Sequence, residues 1–336
     1  GLVDEHHHGR DRRVEAQAVS DAVRSAVGFV VMARDLIEWL STRLPVRAGT
    51  RIGIGDDAAI LASTEGERLV TTDLLADGVH FSLAEHSPQR IGRKALAVNL
   101  SDIAAMGARP VAAFVSVLLP RSGGRSLFQE MYEGLLLLAD RYGVTIAGGD
   151  TCVWDGPLVL DVCAIGAPHA RGPLLRSGAE PGDVLLVTGP LGGSLEGKHL
   201  DFEPRVREVA ALLDRADLHA GMDISDGLAI DLSRLCQASR CGAVLEAAAI
   251  PISSAALDAA AREPSGRSPL DRALGDGEDF ELLLAAPPSE AQRLLADSSH
   301  GVELAAIGEI TAGSKLEIRM TDGSRRPLPV TGYEHA

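Results

Sequence analysis

The chain has few cysteines, few aromatic rings, no long apolar run and a shortage of positive charge, and each scarcity removes a class of protein. Its four cysteines, Cys152, Cys163, Cys236 and Cys241, are spaced unlike any common zinc pattern and are too few to staple a chain of 336 residues. Reduced thiols in a cytoplasmic protein are the expectation. Only six Phe, three Tyr and two Trp occur, so the 46% hydrophobic content rests on Ala, Leu and Val, and with 36 Gly it reads as a mixed α/β protein with a full core. No apolar stretch approaches the ~20 residues of a membrane span. Lys and Arg number 32 against 47 Asp and Glu, a net charge of −15, which argues against tracking a nucleic-acid backbone or an anionic membrane surface. An acidic enzyme acting on anions needs metal ions as intermediaries.

The length suits about two domains. Residues 1–33, with His6, His7, His8 and the charged stretch Arg10 to Arg13, are expected to be a disordered extension. The densest turn cluster, Pro168, Gly172, Pro173, Gly178, Pro181 and Gly182, divides the remainder into 34–168 and 169–336. Within these, β-branched and Leu/Val runs predict strands at 68–73, 111–119, 158–166, 183–188, 243–246 and 280–286.

Five acidic clusters contain no Lys or Arg: Gly53-Ile54-Gly55-Asp56-Asp57-Ala58, Thr71-Thr72-Asp73, Asn99-Leu100-Ser101-Asp102, Gly148-Gly149-Asp150-Thr151 and Asp223-Ile224-Ser225-Asp226-Gly227. Carboxylates beside Gly, Ser or Thr at loop ends are the oxygen ligands that Mg²⁺ takes, although each cluster alone is also an ordinary turn or cap. In the helix predicted from Ser87-Pro88 to Gly107, the apolar stripe Ile91, Ala95, Val98, Asp102, Ala105 includes a carboxylate. A buried charge requires a cation, so Asp102 should meet either a metal or the Arg93/Lys94 region. A second helix, carrying Leu228, Leu232 and Leu235 on one face, begins at Ser225-Asp226. An N-cap role explains Asp226 there but not Asp223, which should end the preceding strand. Gly192 to His199 imitates a phosphate-binding loop but has His where that loop needs Ser or Thr.

The strings GIGDDAAIL, TTDLLADGVHF, RKALAVNLSDIAAMGARP, AGGDT, LRSGAEPGD, MDISDGLAIDLSRL and GDGEDFELL, in this order, resemble the thiamine-monophosphate kinases, within the superfamily that includes aminoimidazole-ribonucleotide synthetase. The resemblance runs from about Asp35 to Tyr333. It implies a two-domain fold whose N-terminal half binds ATP and Mg²⁺ and forms the dimer sheet or barrel, followed by a C-terminal α/β domain. The implied reaction phosphorylates thiamine monophosphate to thiamine diphosphate with ATP, on a cytoplasmic homodimer with several Mg²⁺ ions. By motif match, Asp57, Thr71, Thr72, Asp73, Asp102, Asp150, Asp223 and Asp226 are the implied metal ligands. Tyr132, Gly149, Asp150, Arg176 and Ser225 are the implied ATP contacts, and His80, Glu278 and Tyr333 the implied thiamine contacts. No catalytic residue beyond the metal ligands is implied. Asp276 stands where the family pattern has glycine; it is expected in a left-handed turn on the thiamine side of the site. The rival reading is a non-catalytic nucleotide-binding or scaffold protein of the same superfamily.

Overall fold

In the computed structural model, which describes residues 50–52, 56–63, 66–263, 266–330 and 332, the segment opened by Ser87 is helix α1, Pro88–Ala105. The Ser87 hydroxyl accepts from the Arg90 amide, and Pro88 occupies the first turn, where no amide donor is required. The chain leaves through Gly107 at φ 64°. Ile91, Leu96, Leu100 and Ile103 are fully buried, and so are Lys94 and Asn99. A helix buried on nearly every side is the centre of its domain rather than its surface.

The sheet under α1 contains β1 (Thr50–Ile52), β2 (Ala59–Ser63), β3 (Gly66–Ala76), β4 (Ala108–Pro120), β5 (Thr145–Trp154) and β6 (Val159–Pro168), in the order β1-β2-β3-β6-β4-β5. β4 and β5 run parallel, joined by helix α2 (Gly124–Tyr142), and the other pairs are antiparallel. Alternation along the strands puts Leu69, Thr71, Leu75, Val115, Val117, Leu160 and Val162 on the buried face. Thr72, Leu74, Phe114 and Leu118 point to the opposite, uncovered face. The barrel anticipated for this half does not form within the chain. Among the described residues β1 and β5 each have one paired neighbour, so the six-stranded sheet is open.

The second sheet contains β7 (Val184–Val187), β8 (Ala220–Asp223), β9 (Gly242–Glu246), β10 (Leu282–Ala286), β11 (Ala305–Thr311), β12 (Leu316–Arg319) and β13 (Arg325–Pro327), in the order β13-β12-β9-β11-β7-β10-β8. It is mixed, with β9 and β12 parallel. Helices α3 (Lys198–Asp201), α4 (Val206–Arg215), α5 (Leu228–Ser239), α6 (Ser254–Arg262), α7 (Pro269–Gly275) and α8 (Pro288–Ala296) complete this part. The strand anticipated at 280–286 starts two residues late because Glu278 and Phe280 have φ of 54° and 49°. Their amides donate to the Ser225 and Ile224 carbonyls at 2.6 and 2.8 Å, so this stretch follows the 224–225 loop instead of the strand. No helix among the described residues is long and apolar enough to cross a membrane.

One face of α1 joins the two sheets. Arg90 reaches Asp201 at 2.5 Å and the Gly197 carbonyl, while Arg93 reaches Glu203 and the Leu200 and Phe202 carbonyls. Lys94 reaches Glu278 at 2.6 Å, and the Ser101 hydroxyl donates to Asp223 at 2.6 Å. Positions 90, 93, 94 and 101 share one side of a 3.6-residue helix, so a single rigid element aligns both halves.

The opposite constraint on α1 is its approach to α2. A Cβ on Gly92 would stand 1.9 Å from the Met131 carbonyl oxygen, and one on Gly134 would stand 1.9 Å from that of Gln89. These neighbours are backbone and cannot rotate away. Gly92→Ala is expected to destabilise the fold by about 2 kcal/mol through overpacking. Urea denaturation measures it, and a change below about 0.5 kcal/mol would show that the helices can separate freely.

Candidate active site

Four separate pieces of chain meet beneath α1. Asp57 follows β1, Thr71 and Asp73 lie on β3, Asp102 opens the last turn of α1, and Asp223 ends β8. One carboxylate oxygen from each of Asp57, Asp102 and Asp223 falls within 4.8 Å of the others. The Thr71 hydroxyl donates to Asp102 at 2.5 Å, which places it beside this triad. Arg176 grips Asp57 with two donors, Nη2 at 2.6 Å and Nε at 3.2 Å, and its amide donates to Asp56. The partner anticipated for Asp102 among Arg93 and Lys94 is not there: both are committed to 199–203 and Glu278.

Three carboxylates in so small a space repel one another. Burial first, then the charges of Asp73, Asp223 and Asp57, hold the Asp102 carboxyl well above the usual range. Burial and Asp57 do the same to Asp223, against the Ser101 hydrogen bond. Asp73 is pushed up to about 6 by burial and by Asp161, Asp57 and Asp226, and Asp56 to about 6 by burial and Asp57. Burial works to lower the Arg176 guanidinium, but the Asp57 charge and hydrogen bonds together with the charges of Asp223 and Asp56 more than offset it and hold the group above its ordinary value. A set of oxygen donors whose protons are this hard to remove suits a hard divalent cation, which would take the protons' place.

The Asp226 side chain pairs with Arg234 at 2.5 Å. It does not cap α5: the Asp231 carboxylate, buried and pushed up to about 7 by burial, accepts from the Asp226 and Gly227 amides at 3.0 Å. Thr72 and Asp150 lie on the other face of the first sheet. The Thr72 hydroxyl donates to Asp161 at 2.9 Å, and Asp161 and exposed Asp150 both stand opposite Ser116 in neighbouring strands. Gly149 has φ 151°, and a Cβ there would lie 1.8 Å from the Val115 carbonyl oxygen, so β5 itself requires glycine. Tyr132 stacks against Phe128 on α2. The Ser225 carbonyl accepts from Glu278, and His80 Nδ1 accepts from the Ala76 amide at 3.1 Å. Glu278 is buried, and the Lys94 and His199 contacts hold its carboxyl below the usual range despite that burial. Tyr333 lies outside the described residues, as do residues 1–33.

One anticipated feature is corrected, and one rejected reading is explained. Asp276 has φ −71° at the end of α7, and its carboxylate takes the Gly193 amide at 2.9 Å and Arg267 at 2.6 Å. It therefore ties two loops together, and Gly277 at φ 75° makes the turn. The phosphate-loop mimic has its glycine amides occupied, Gly192 by Asp279 at 2.8 Å and Gly193 by Asp276, while Lys198 pairs with Glu281. Sequence reasoning passed over Ser101, Asp161 and His199. Ser101 and Asp161 could have been found from strand alternation and motif adjacency, whereas His199 meets Glu278 across 78 intervening positions, a loop-closure problem that no local pattern reports.

These shifts set a pH dependence. An Asp whose folded pKa lies near 6 keeps its proton in the folded state while the unfolded chain, at 3.8, has lost it, so the cation-free fold loses stability as pH rises from 3.8 to about 6. Asp73→Asn removes that loss. Its stability relative to the parent should grow across this window and stay constant above it, by urea denaturation with a chelator present. A flat difference from pH 4 to 7 would remove the repulsion at Asp73.

Residues 55–167 match the family model "AIR synthase related protein, N-terminal domain", and 180–321 match its C-terminal domain. A thiamine-monophosphate kinase of Rhodopirellula baltica is 42% identical over 312 residues, covering 90% of this chain and 97% of the relative. That of Escherichia coli K12 is 35% identical over 330 residues, with 91% and 97% covered. A solved complex of AaThiL with AMPPCP and TMP superimposes with a TM-score of 0.77 at 27% identity, over 90% of this chain and 96% of its own. Two domain models that together span most of the sequence, and relatives matched almost end to end, agree with the carboxylates gathered from both domains: the chain belongs to the AIR synthase related family, among the thiamine-monophosphate kinases.

Proposed function

We propose that this chain transfers the γ-phosphoryl group of ATP to the phosphate of thiamine monophosphate, giving thiamine diphosphate and ADP. The observation that carries this reading is the Asp57, Asp102 and Asp223 triad, drawn from both domains into a 4.8 Å group beside Arg176. The attacking group is a phosphate oxygen already ionised near neutral pH, so no side chain has to remove a proton. A bond forms from that oxygen to the γ-phosphorus, and the bond to the β,γ-bridging oxygen breaks. Charge neutralisation and alignment are then what the protein must supply.

The donor set around the triad fits Mg²⁺: Asp57, Asp102 and Asp223 would hold it, with Thr71 and Asp73 beside them. Such an ion supplies positive charge against the phosphates of both substrates. Arg176, which is bidentate on Asp57, is a proposed nucleotide contact, with Tyr132, Gly149 and Ser225 the others. Thr72 and Asp150, with Asp161, are proposed for a further ion on the other sheet face, and Asp226 for one beside Arg234. His80, Glu278 and Tyr333 are proposed to hold the thiamine moiety. Four free cysteines fit a cytoplasmic protein.

A homodimer is part of the same proposal. The uncovered face of the first sheet exposes Leu74 at 59%, Phe114 at 42%, Leu118 at 36% and Trp154 at 37% around the polar row Asp161, Ser116 and Asp150, large apolar side chains of the kind that partners bury. Sedimentation at micromolar concentration should return a dimer, and Phe114→Arg a monomer. A monomeric parent would remove this part of the reading.

Activity is tested by following ATP consumption with and without thiamine monophosphate. Turnover should require that acceptor, stop with a chelator, and fall at least about a hundredfold in Asp102→Asn with the fold intact, some 2.7 kcal/mol of barrier. ATP consumption independent of thiamine monophosphate would overturn the acceptor, and an Asp102→Asn variant within about tenfold of the parent would overturn the ligand assignment.

A further inference from the structure

Lys94 is the largest fully buried side chain of the molecule's described part, and its ammonium sits where a charge has to be fully satisfied. It is. Nζ lies 2.7 Å from the His80 carbonyl, 2.6 Å from Glu278 Oε1 and 3.0 Å from His199 Nδ1, three acceptors for three protons. His199 Nδ1 also lies 3.1 Å from Glu278 Oε2, so the imidazole bridges both members of the ion pair. An unprotonated Nδ1 accepts from Lys94 and completes its three acceptors, whereas a protonated one donates to Glu278 and leaves Lys94 the His80 carbonyl and Glu278. The ring is itself backed by His86, edge-on at 5.6 Å.

Two of the residues that Lys94 touches, His80 and Glu278, are those assigned to the thiamine moiety, and they come from different domains. Glu278 is also one of three non-glycine residues at positive φ among the described ones. Such a conformation persists only where surrounding contacts over-determine it. Here the over-determination comes from the Glu278 amide on the Ser225 carbonyl and from the carboxylate on Lys94 and His199. Among the described residues, no hydrogen bond or ion pair joins Asp57, Asp102 or Asp223 to this triad.

We propose that Lys94, assisted by His199, is a positioning residue for the acceptor end of the site: it clamps the His80 main chain and the Glu278 carboxylate in the geometry that receives the thiamine moiety. The clamp governs affinity for thiamine monophosphate and leaves ATP binding alone. Its ammonium also offsets the Glu278 charge, so the pair presents a directed carboxylate oxygen rather than a free negative charge. This rests on the reading of Glu278 as a thiamine contact.

Steady-state kinetics of Lys94→Met, His199→Leu and Glu278→Gln, with each substrate varied and a thermal melt of every variant, tests it. The expected result is a KM for thiamine monophosphate raised at least about tenfold in all three, with the KM for ATP within about twofold of the parent. If Glu278→Gln raises that KM while Lys94→Met and His199→Leu leave it unchanged, the clamp is wrong and the Glu278 reading stands. If Glu278→Gln leaves it unchanged, the Glu278 reading fails and the clamp with it. Equal changes in both KM values, tracking the loss of melting temperature, would reduce Lys94 to a structural ion pair and overturn the proposal. Should Lys94→Met not fold, His199→Leu decides, because it leaves the Lys94 to Glu278 pair in place.

Discussion

Like charges held together need something to hold them, and the arrangement of this molecule follows from that need. Asp57, Asp102 and Asp223 bring carboxylate oxygens within 4.8 Å of one another, and burial, with neighbouring carboxylates adding to it, pushes Asp73 and Asp56 up to about 6. Left to themselves these groups would move apart or drive the domains apart. The resisting forces are apolar burial around α1 and a row of cations that acts at a distance from the cluster. Arg90, Arg93 and Lys94 bind the segment 197–203 and Glu278, so the helix carrying Asp102 is locked to the domain carrying Asp223. Arg176 is the cation placed directly on the triad, and its grip on Asp57 neutralises one charge while leaving the others facing a shared space.

Repulsion of this kind favours a cation at the triad over a neutral or anionic group. Burial makes each carboxylate costly to ionise, and neighbouring carboxylates raise that cost, so a cation entering the site relieves a penalty the protein already carries. A hard divalent ion with phosphate oxygens to complete its shell fits that environment, and a protein of net charge −15 has few other means of approaching polyanionic substrates. The group around Lys94 is built on the opposite plan. There Lys94, His199 and Glu278 form a closed group in which each charge meets a partner, and geometry takes precedence over field strength.

Rigidity links the two ends. Gly92 and Gly134 allow α1 and α2 to touch backbone to backbone, which fixes where α1 lies on the sheet and thereby where Asp102, Ser101 and Lys94 point. A shift of α1 by a fraction of an ångström would move Asp102, Ser101 and Lys94 together, because they lie on one helix little more than two turns apart.

Much of this was legible in the sequence because it depends on local pattern. The Ser87-Pro88 start and Gly107 exit of α1, the alternation of β3, β4 and β6, and Asp102 on an apolar stripe all follow from short-range geometry. The motif strings likewise placed Asp57, Asp73, Asp102 and Asp223 in one site, since each needs only its own neighbours to be recognised. What local pattern does not contain is which face meets which partner. Thr72 and Asp150 turn to the far side of the sheet because strand alternation separates Thr72 from Thr71 and Asp73, and Asp276 caps a loop junction because α7 ends there with φ −71°. The pairing of Lys94 with His199 and Glu278, and of Arg176 with Asp57, joins positions more than a hundred residues apart. Composition and periodicity determined the elements and the chemistry they carry, but only the packing of α1 between two sheets decided which charges face each other, because that choice is made by long-range contacts whose partners share no stretch of sequence.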